Sequence, residues 1–304
     1  MAREILRRYS LIVCWPALVL ATALPASPAV AACSAADIAA HCPVTAAAPA
    51  PAPPSGPRYL LASQVDIVEL LPPPPAADSP AQQADLQAVL EAQRAARADG
   101  TIGHAVADVE ASCGRFSDVL GEALTSKSNP KLLAFLNQAA LEGASISGPA
   151  KQYWKRPRPY AYSREVEPLG VVSPGWKAIP GMDTGGHNKA EKDKAARDLA
   201  HSSYPSGHAT FGTVCAILLA DMVPEKREAL FARGLDFAHS RMVLGAHFPT
   251  DLEAGRITGT VAAALLLQNA KFRRDLAQAR LNLRAALGLS PEAPELEPEP
   301  LYRE

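Results

Sequence analysis

Three short stretches carry cations or imidazoles at places where helices begin or end. In Lys151-Gln-Tyr-Trp-Lys-Arg-Pro-Arg158-Pro159, Lys151 and Arg158 are seven residues apart. That is two turns along one helix face, provided the helix persists that far. A solvated basic helix end, complementing the macrodipole, has the same composition. Tyr204-Pro205-Ser206-Gly207-His208-Ala209-Thr210 leads into the apolar run Phe211–Ala220. A serine beside a glycine at a helix start is an anion site, because unpaired N–H groups and the positive dipole end converge there. His208 then lies just inside the helix, close to any anion held; the plainer reading is an ordinary serine cap beside a surface histidine. In Ser240-Arg241-Met-Val-Leu-Gly-Ala-His247-Phe-Pro-Thr-Asp251, Pro249 marks the first turn of a new helix, which leaves His247 in the junction before it. Asp251 is four residues on and can reach back to one ring nitrogen. That contact fixes the tautomer and leaves the other nitrogen as a nucleophile. An isolated His–Asp pair serves equally well as a structural tie between helices.

The joint occurrence of the three stretches, in order, is what raises them above these plainer readings. Lys-x6-Arg-Pro, Pro-Ser-Gly-His and Ser-Arg-x5-His-x3-Asp together resemble the signature of the phosphatidic acid phosphatase type 2 and vanadium haloperoxidase superfamily, with every signature position filled. Ser203-Tyr204-Pro205-Ser206-Gly207-His208 is similar to the class A bacterial non-specific acid phosphatases, although Ser202 and Ala209 stand where that class has Gly and Thr. The run Leu70-Leu71-Pro72-Pro73-Pro74-Pro75 resembles the same class. The resemblance covers roughly Tyr59 to Leu289.

This resemblance implies an acid phosphatase that hydrolyses phosphate monoesters of broad range through a phosphohistidine. His247 would be the nucleophile, His208 the general acid and base, and Asp251 the support of His247. Lys151, Arg158 and Arg241 would neutralise the non-bridging oxygens, with the Ser206 hydroxyl and the Gly207 N–H as neutral donors. Such a cradle supplies most of what phosphoryl transfer needs. No cofactor or metal is expected, since side-chain cations stand where Mg²⁺ would. His41, His104, His187, His201 and His239 lie at no metal-ligand spacing. His187, Tyr160 and Trp154 are candidates for the substrate entrance, core packing being the alternative for the aromatics. Three other readings use the same residues. A vanadate-dependent haloperoxidase would fill the cradle with vanadate, and a membrane lipid phosphatase would need spanning helices. A non-catalytic periplasmic phosphate-binding protein would have no use for the His208 and His247 pair.

Helices must position these residues, and helical periodicity dominates the chain. Ser79 or Asp78 can cap a helix from Pro80 to Ala98, ended by Gly100; a second is expected over Ile102–Leu124. Asn129 would cap a third that starts at Pro130 and continues toward Tyr153. Residues 160–185 are rich in Pro, Gly and Ser and read as a long loop, followed by a short polar helix at Ala190–Leu199. Helices are expected at Pro205–Met222, Pro224–Val243, Pro249–Phe272 and Arg273–Leu287. No stretch alternates convincingly as a strand, and the longest uncharged apolar run, Ile257–Ala270, is too short to span a bilayer. An all-α fold follows, with a single helical domain at 58–289.

The ends of the chain read differently. Arg3, Arg7 and Arg8, the apolar stretch Leu11–Leu24 and the A-x-A site Ala29-Val30-Ala31 predict a signal peptide over 1–31 and a periplasmic or secreted protein. Val30-Ala31-Ala32-Cys33 also resembles a lipoprotein cleavage box, the alternative being a lipid anchor at Cys33. Residues 32–57 form an Ala/Pro-rich tether and 290–304 an acidic, Pro-rich tail expected to be disordered. Removing 1–31 takes away three Arg and one Glu, so the exported chain carries a net charge of about −3; nothing calls for a nucleic-acid partner. The expected partner is a small phosphomonoester, and relatives suggest a homodimer. Among the cysteines, Cys33 and Cys42 are close enough to pair, whereas Cys215, in an apolar helical pattern, reads as a buried free thiol; Cys113 is left unassigned.

Overall fold

Most helix starts in the computed structural model, which describes residues 58–169 and 197–294, follow the capping chemistry of the sequence. Helix α1 (Ile67–Leu70) opens with the Asp66 carboxylate accepting from the Val68 N–H at 3.0 Å. Helix α2 (Pro80–Ala98) opens with Ser79 Oγ accepting from the Gln82 N–H at 3.1 Å and Pro80 in the first position. The chain turns away at Gly100, where φ is +69°, a conformation that glycine adopts without steric cost.

Two expected helices are interrupted. In place of Ile102–Leu124 there is α3 (Ile102–Ala107), then α4 (Ser117–Leu120) flanked by two 3₁₀ turns. The break follows from Asp108, which is wholly buried and accepts from Arg233, Arg115 and Ser240. A straight helix would not deliver its carboxylate to all three. The third helix is also two: α5 (Pro130–Ser145) and α6 (Ser147–Trp154), divided at Ile146. Asn129 does not cap α5; its side-chain amide instead donates to the Ala123 carbonyl at 2.8 Å. Lys155, at φ +46°, ends α6 in the left-handed region, and α7 (Pro159–Tyr162) starts afresh after Arg158. Lys151 and Arg158 therefore do not share a helix face. Pro157 and Pro159 disfavour helix in the residues before them, and the turn at Lys155 re-aims the chain.

Helix α8 (Gly207–Met222) is the centre of the molecule. It is apolar on nearly every side and packs against α9 (Arg227–Val243), α10 (Pro249–Gln268) and α5, as a helix without a solvent face must. Close approach of α10 requires small residues: a Cβ on Gly255 would lie 2.5 Å from the Ser206 carbonyl, and one on Gly259 2.7 Å from that of Thr210. Helix α11 (Ala270–Ala286) completes the packing. The N-terminal end of the described chain is held to α5 by Glu142, which accepts from the backbone N–H groups of Arg58, Tyr59 and Leu60 at 2.7–3.0 Å. At the other end, Arg284 donates to the Glu292 carbonyl at 3.0 Å.

Cys215 is not a free thiol. It forms a disulfide with Cys113, Cα to Cα 5.6 Å, tying the 3₁₀ turn before α4 to the middle of α8. Its apolar surroundings reported burial correctly, but burial says nothing of what packs alongside. The fold is all-α, with no strand among the described residues. No described helix is long and apolar enough to cross a membrane. The expected signal peptide, the tether with His41, Cys33 and Cys42, His187, most of the Ala190–Leu199 helix and most of the tail lie outside the described residues.

Candidate active site

The Ser-Arg-x5-His spacing is the end of a helix and the turn that closes it. Gly245, at φ +68°, reverses the chain after α9, so that the Arg241 carbonyl accepts from the N–H groups of both Ala246 (2.9 Å) and His247 (3.3 Å). Arg241 and His247 are thus fixed to each other through backbone. Pro249 then opens α10, and the Asp251 carboxylate turns back to accept from the Phe248 N–H at 2.8 Å, as an acidic residue at that position of a helix does.

Within this junction the His247 ring lies between opposite charges. Its Nε2 is 3.2 Å from Arg158 Nη1 and its Nδ1 is 3.6 Å from Asp251 Oδ2. A guanidinium can only donate, so Nε2 presents its lone pair and the ring proton sits on Nδ1. The short hydrogen bond expected from Asp251 to the ring is not formed. Asp251 instead accepts from Arg156 Nη1 at 2.7 Å, Ser203 Oγ at 2.6 Å and Phe248 N. Burial, then the cations Arg158, Lys151 and Arg241, push the His247 pKa well below the usual histidine range.

The cations come from three elements. Lys151, on α6, donates to the carbonyls of Ser202, at 2.7 Å, and Pro205, which ties it to the loop before α8. Arg158 donates to the carbonyls of Leu199 (2.9 Å) and Ala246 (3.1 Å) and to Ser202 Oγ (3.3 Å). Arg241, near the end of α9, is 2 % exposed, and its Nε and Nη1 have no hydrogen-bond partner among the described residues. Burial and the neighbouring Arg158 push its pKa down to about 9. Buried, unsatisfied and beside another cation, this guanidinium is a costly arrangement unless an anion completes it.

Helix α8 brings the remaining groups. Ser206 caps it, Oγ accepting from the Ala209 N–H at 3.3 Å, and its own N–H donates to the Asp251 carbonyl at 2.9 Å. Gly207 opens the helix, with His208 directly after it. His208 Nε2 lies 3.1 Å from the Val109 carbonyl, which can only accept, so that nitrogen carries the proton. Burial, then Arg241, lower its pKa well below the usual value, opposed by the Val109 contact. Lys151, Arg158, Ser206, Gly207, His208, Arg241, His247 and Asp251 are therefore gathered at one buried junction of α6, α8, α9 and α10, with positive charge in excess. A tetrahedral oxyanion suits that charge.

Several residues at this junction occupy no signature position of the motifs. Arg156 bridges Asp251 to Asp85, at 2.7 Å from each, and also donates to Gln82 Oε1 (2.6 Å) and Thr250 Oγ1 (2.7 Å). The available signal was in α2, where Gln82, Asp85 and Gln93 fall on the same buried face as Leu86 and Val89. Polar groups recurring within an apolar stripe are there to meet a partner. His104, assigned no role from spacing, lies 2.8 Å from Asp236 and 3.5 Å from Asp108, both of which are already paired with Arg233.

A family model described as the PAP2 superfamily matches residues 131–275, a span that includes all three motifs. The chain is 30% identical to the non-specific acid phosphatase of Providencia stuartii over 228 residues, 73% of this chain and 83% of that protein. It is 30% identical to that of Salmonella typhi over 233 residues, 74% and 84% respectively. An acid phosphatase of Zymomonas mobilis is 36% identical over 127 residues, covering 41% of this chain and 48% of that protein. With its helical fold and its filled motifs, the chain belongs to the PAP2 superfamily and, within it, to the class A non-specific acid phosphatases.

Proposed function

We propose that this phosphoric monoester hydrolase works through a phosphohistidine on His247. The observation that carries this reading is the His247 ring, held with its Nε2 lone pair toward Arg158 and its Nδ1 proton toward Asp251. A phosphomonoester seated against Lys151, Arg158 and Arg241 offers its phosphorus to that lone pair. As the Nε2–P bond forms, the P–O bond to the leaving group breaks, and His208 delivers a proton to the departing oxygen. His208 then takes a proton from water, the water oxygen attacks phosphorus, and the N–P bond breaks to release inorganic phosphate. Asp251 supports the charge that develops on the ring.

The depressed histidine pKa values serve both steps. A nucleophile must be unprotonated, and the same cations that hold the phosphate keep His247 neutral in mildly acidic solution. His208 feels Arg241, Arg158 and His247 in the ligand-free protein. A bound phosphate brings negative charge that offsets those cations, which favours the protonated ring when a general acid is needed. The N-terminal stretch supports a further proposal: export to the periplasm, where small phosphate esters are the substrates met.

The test is hydrolysis of a chromogenic phosphomonoester in EDTA. His247→Ala is expected to remove nearly all activity, and wild-type-like turnover in a folded variant overturns the proposal. Orthovanadate at mildly acidic pH is expected to inhibit the wild type strongly, as an anion that fills the cradle; insensitivity counts against the cradle.

A further inference from the structure

The proposed cradle accounts for the phosphate but not for what holds the nucleophile in place. His247 projects from a junction, and its one carboxylate neighbour, Asp251, stands 3.6 Å away without a direct hydrogen bond. The placement of that carboxylate, together with Arg158 on Nε2 and the Ser203 backbone against the ring, sets where the ring can lie. Three groups set it: Arg156 on Oδ1, and the Ser203 hydroxyl and Phe248 N–H on Oδ2. One comes from each of the three sequence motifs. Asp251 is the point where they meet.

Arg156 is itself held from behind. Its Nη2 donates to Asp85 and Gln82 of α2, its Nη1 to Thr250 and Asp251 of α10, and its guanidinium lies 4.4 Å from the centroid of the Phe248 ring. Arg156, Asp85 and Asp251 are each at most 5 % exposed. Arg156 is therefore the shared cation between two buried carboxylates. Without it, Asp85 keeps the Thr250 hydroxyl and Asp251 keeps Ser203, the Phe248 N–H and the more distant charges of Lys151 and Arg158, but Asp251 loses the contact that fixes its Oδ1. Both of its terminal nitrogens are committed to Gln82, Asp85, Thr250 and Asp251, while its buried Nε has no hydrogen-bond partner among the described residues; a rise in the inhibition constant of phosphate on its removal would assign that last donor to phosphate instead.

Resting on the phosphohistidine reading, we propose that Arg156, braced by Asp85, is a positioning residue that orients His247 through Asp251. Its effect then falls on the rate of phosphoryl transfer and not on the binding of phosphate. Planarity matters in this role, since the fork meets one carboxylate with each terminal nitrogen.

The experiment compares wild type with Arg156→Met, Arg156→Lys and Asp85→Asn, each checked for helical content by circular dichroism. Three quantities are read: kcat and KM for a chromogenic phosphomonoester, the inhibition constant of inorganic phosphate, and the single-turnover rate at which His247 becomes phosphorylated. In Arg156→Met, kcat and the phosphorylation rate are expected to fall about 100-fold, the size typical of a misplaced reacting group. KM and the phosphate inhibition constant should stay within about threefold of wild type. Arg156→Lys should recover part of the rate, and Asp85→Asn should shift it the same way by less. If Arg156→Met does not fold, the Lys and Asn variants carry the same test. Undiminished phosphorylation in a folded variant overturns the proposal, as does a rise in KM and inhibition constant with kcat retained, which would make Arg156 a phosphate ligand. Absence of phosphohistidine in the wild type overturns the parent reading instead, and this proposal with it.

Discussion

At Arg241, two of the guanidinium donors are buried with no partner among the described residues, while burial and Arg158 disfavour its charge. Such a group is fully used only when an oxyanion is present, so Arg241→Ala should lower kcat/KM by about 10²–10³-fold, as loss of one transition-state donor does. Steady-state kinetics on the folded variant check this. The buried histidines give a second expectation, about pH. Their folded-state pKa values lie below the ordinary value of 6.5, so below that value the unfolded chain binds protons that the folded chain refuses. Stability of the ligand-free protein should therefore fall as pH drops from about 7 to 5. The depressed carboxylates, Asp108 among them, lose their contribution only lower, below the ordinary value of 3.8. Melting curves across that window should be steeper in pH for wild type than for the double variant His208→Gln/His247→Gln.

Helix α10 shows how packing reaches the chemistry. Gly255 lets it approach the Ser206 carbonyl so closely that an added Cβ would lie at 2.5 Å. Gly255→Ala should cost about 1–3 kcal/mol through overpacking, and it should also lower turnover, because Ser206 and its N–H bond to Asp251 must shift. Thermal melting and kinetics on one preparation separate the two effects. The starts of these helices were readable, since Ser79, Pro80, Ser206 and Pro249 act locally. The breaks at Asp108, Ile146 and Lys155 were not, because they answer to partners distant in sequence: Asp108 turns inward for Arg233, 125 residues on. Lys151, Arg158, Arg241, His208, His247 and Asp251 were legible because their spacing is constrained by local turns. Arg156 and Asp85 were not, because 71 residues separate them and only tertiary packing brings the segment after α6 against α2.

Across the whole molecule, the Cys113–Cys215 disulfide spans 102 residues and anchors the central helix to the segment that follows Val109. Closing so long a loop restricts the unfolded chain, and the double variant Cys113→Ser/Cys215→Ser should lose about 4 kcal/mol, read as a lower midpoint in urea. A disulfide of this kind suits an oxidising compartment, in keeping with the proposed export. The buried cationic junction and the two histidines support the proposed covalent phosphoryl transfer, and one measurement addresses that proposal directly. Wild-type protein mixed with a phosphomonoester is quenched in alkaline denaturant within a single turnover, digested and analysed by mass spectrometry. One phosphoryl group on the peptide bearing His247, absent when His247 is replaced by Ala, is the predicted result. Turnover with no phosphorylated histidine at any quench time, or a phosphoryl group on His208 instead, would contradict it.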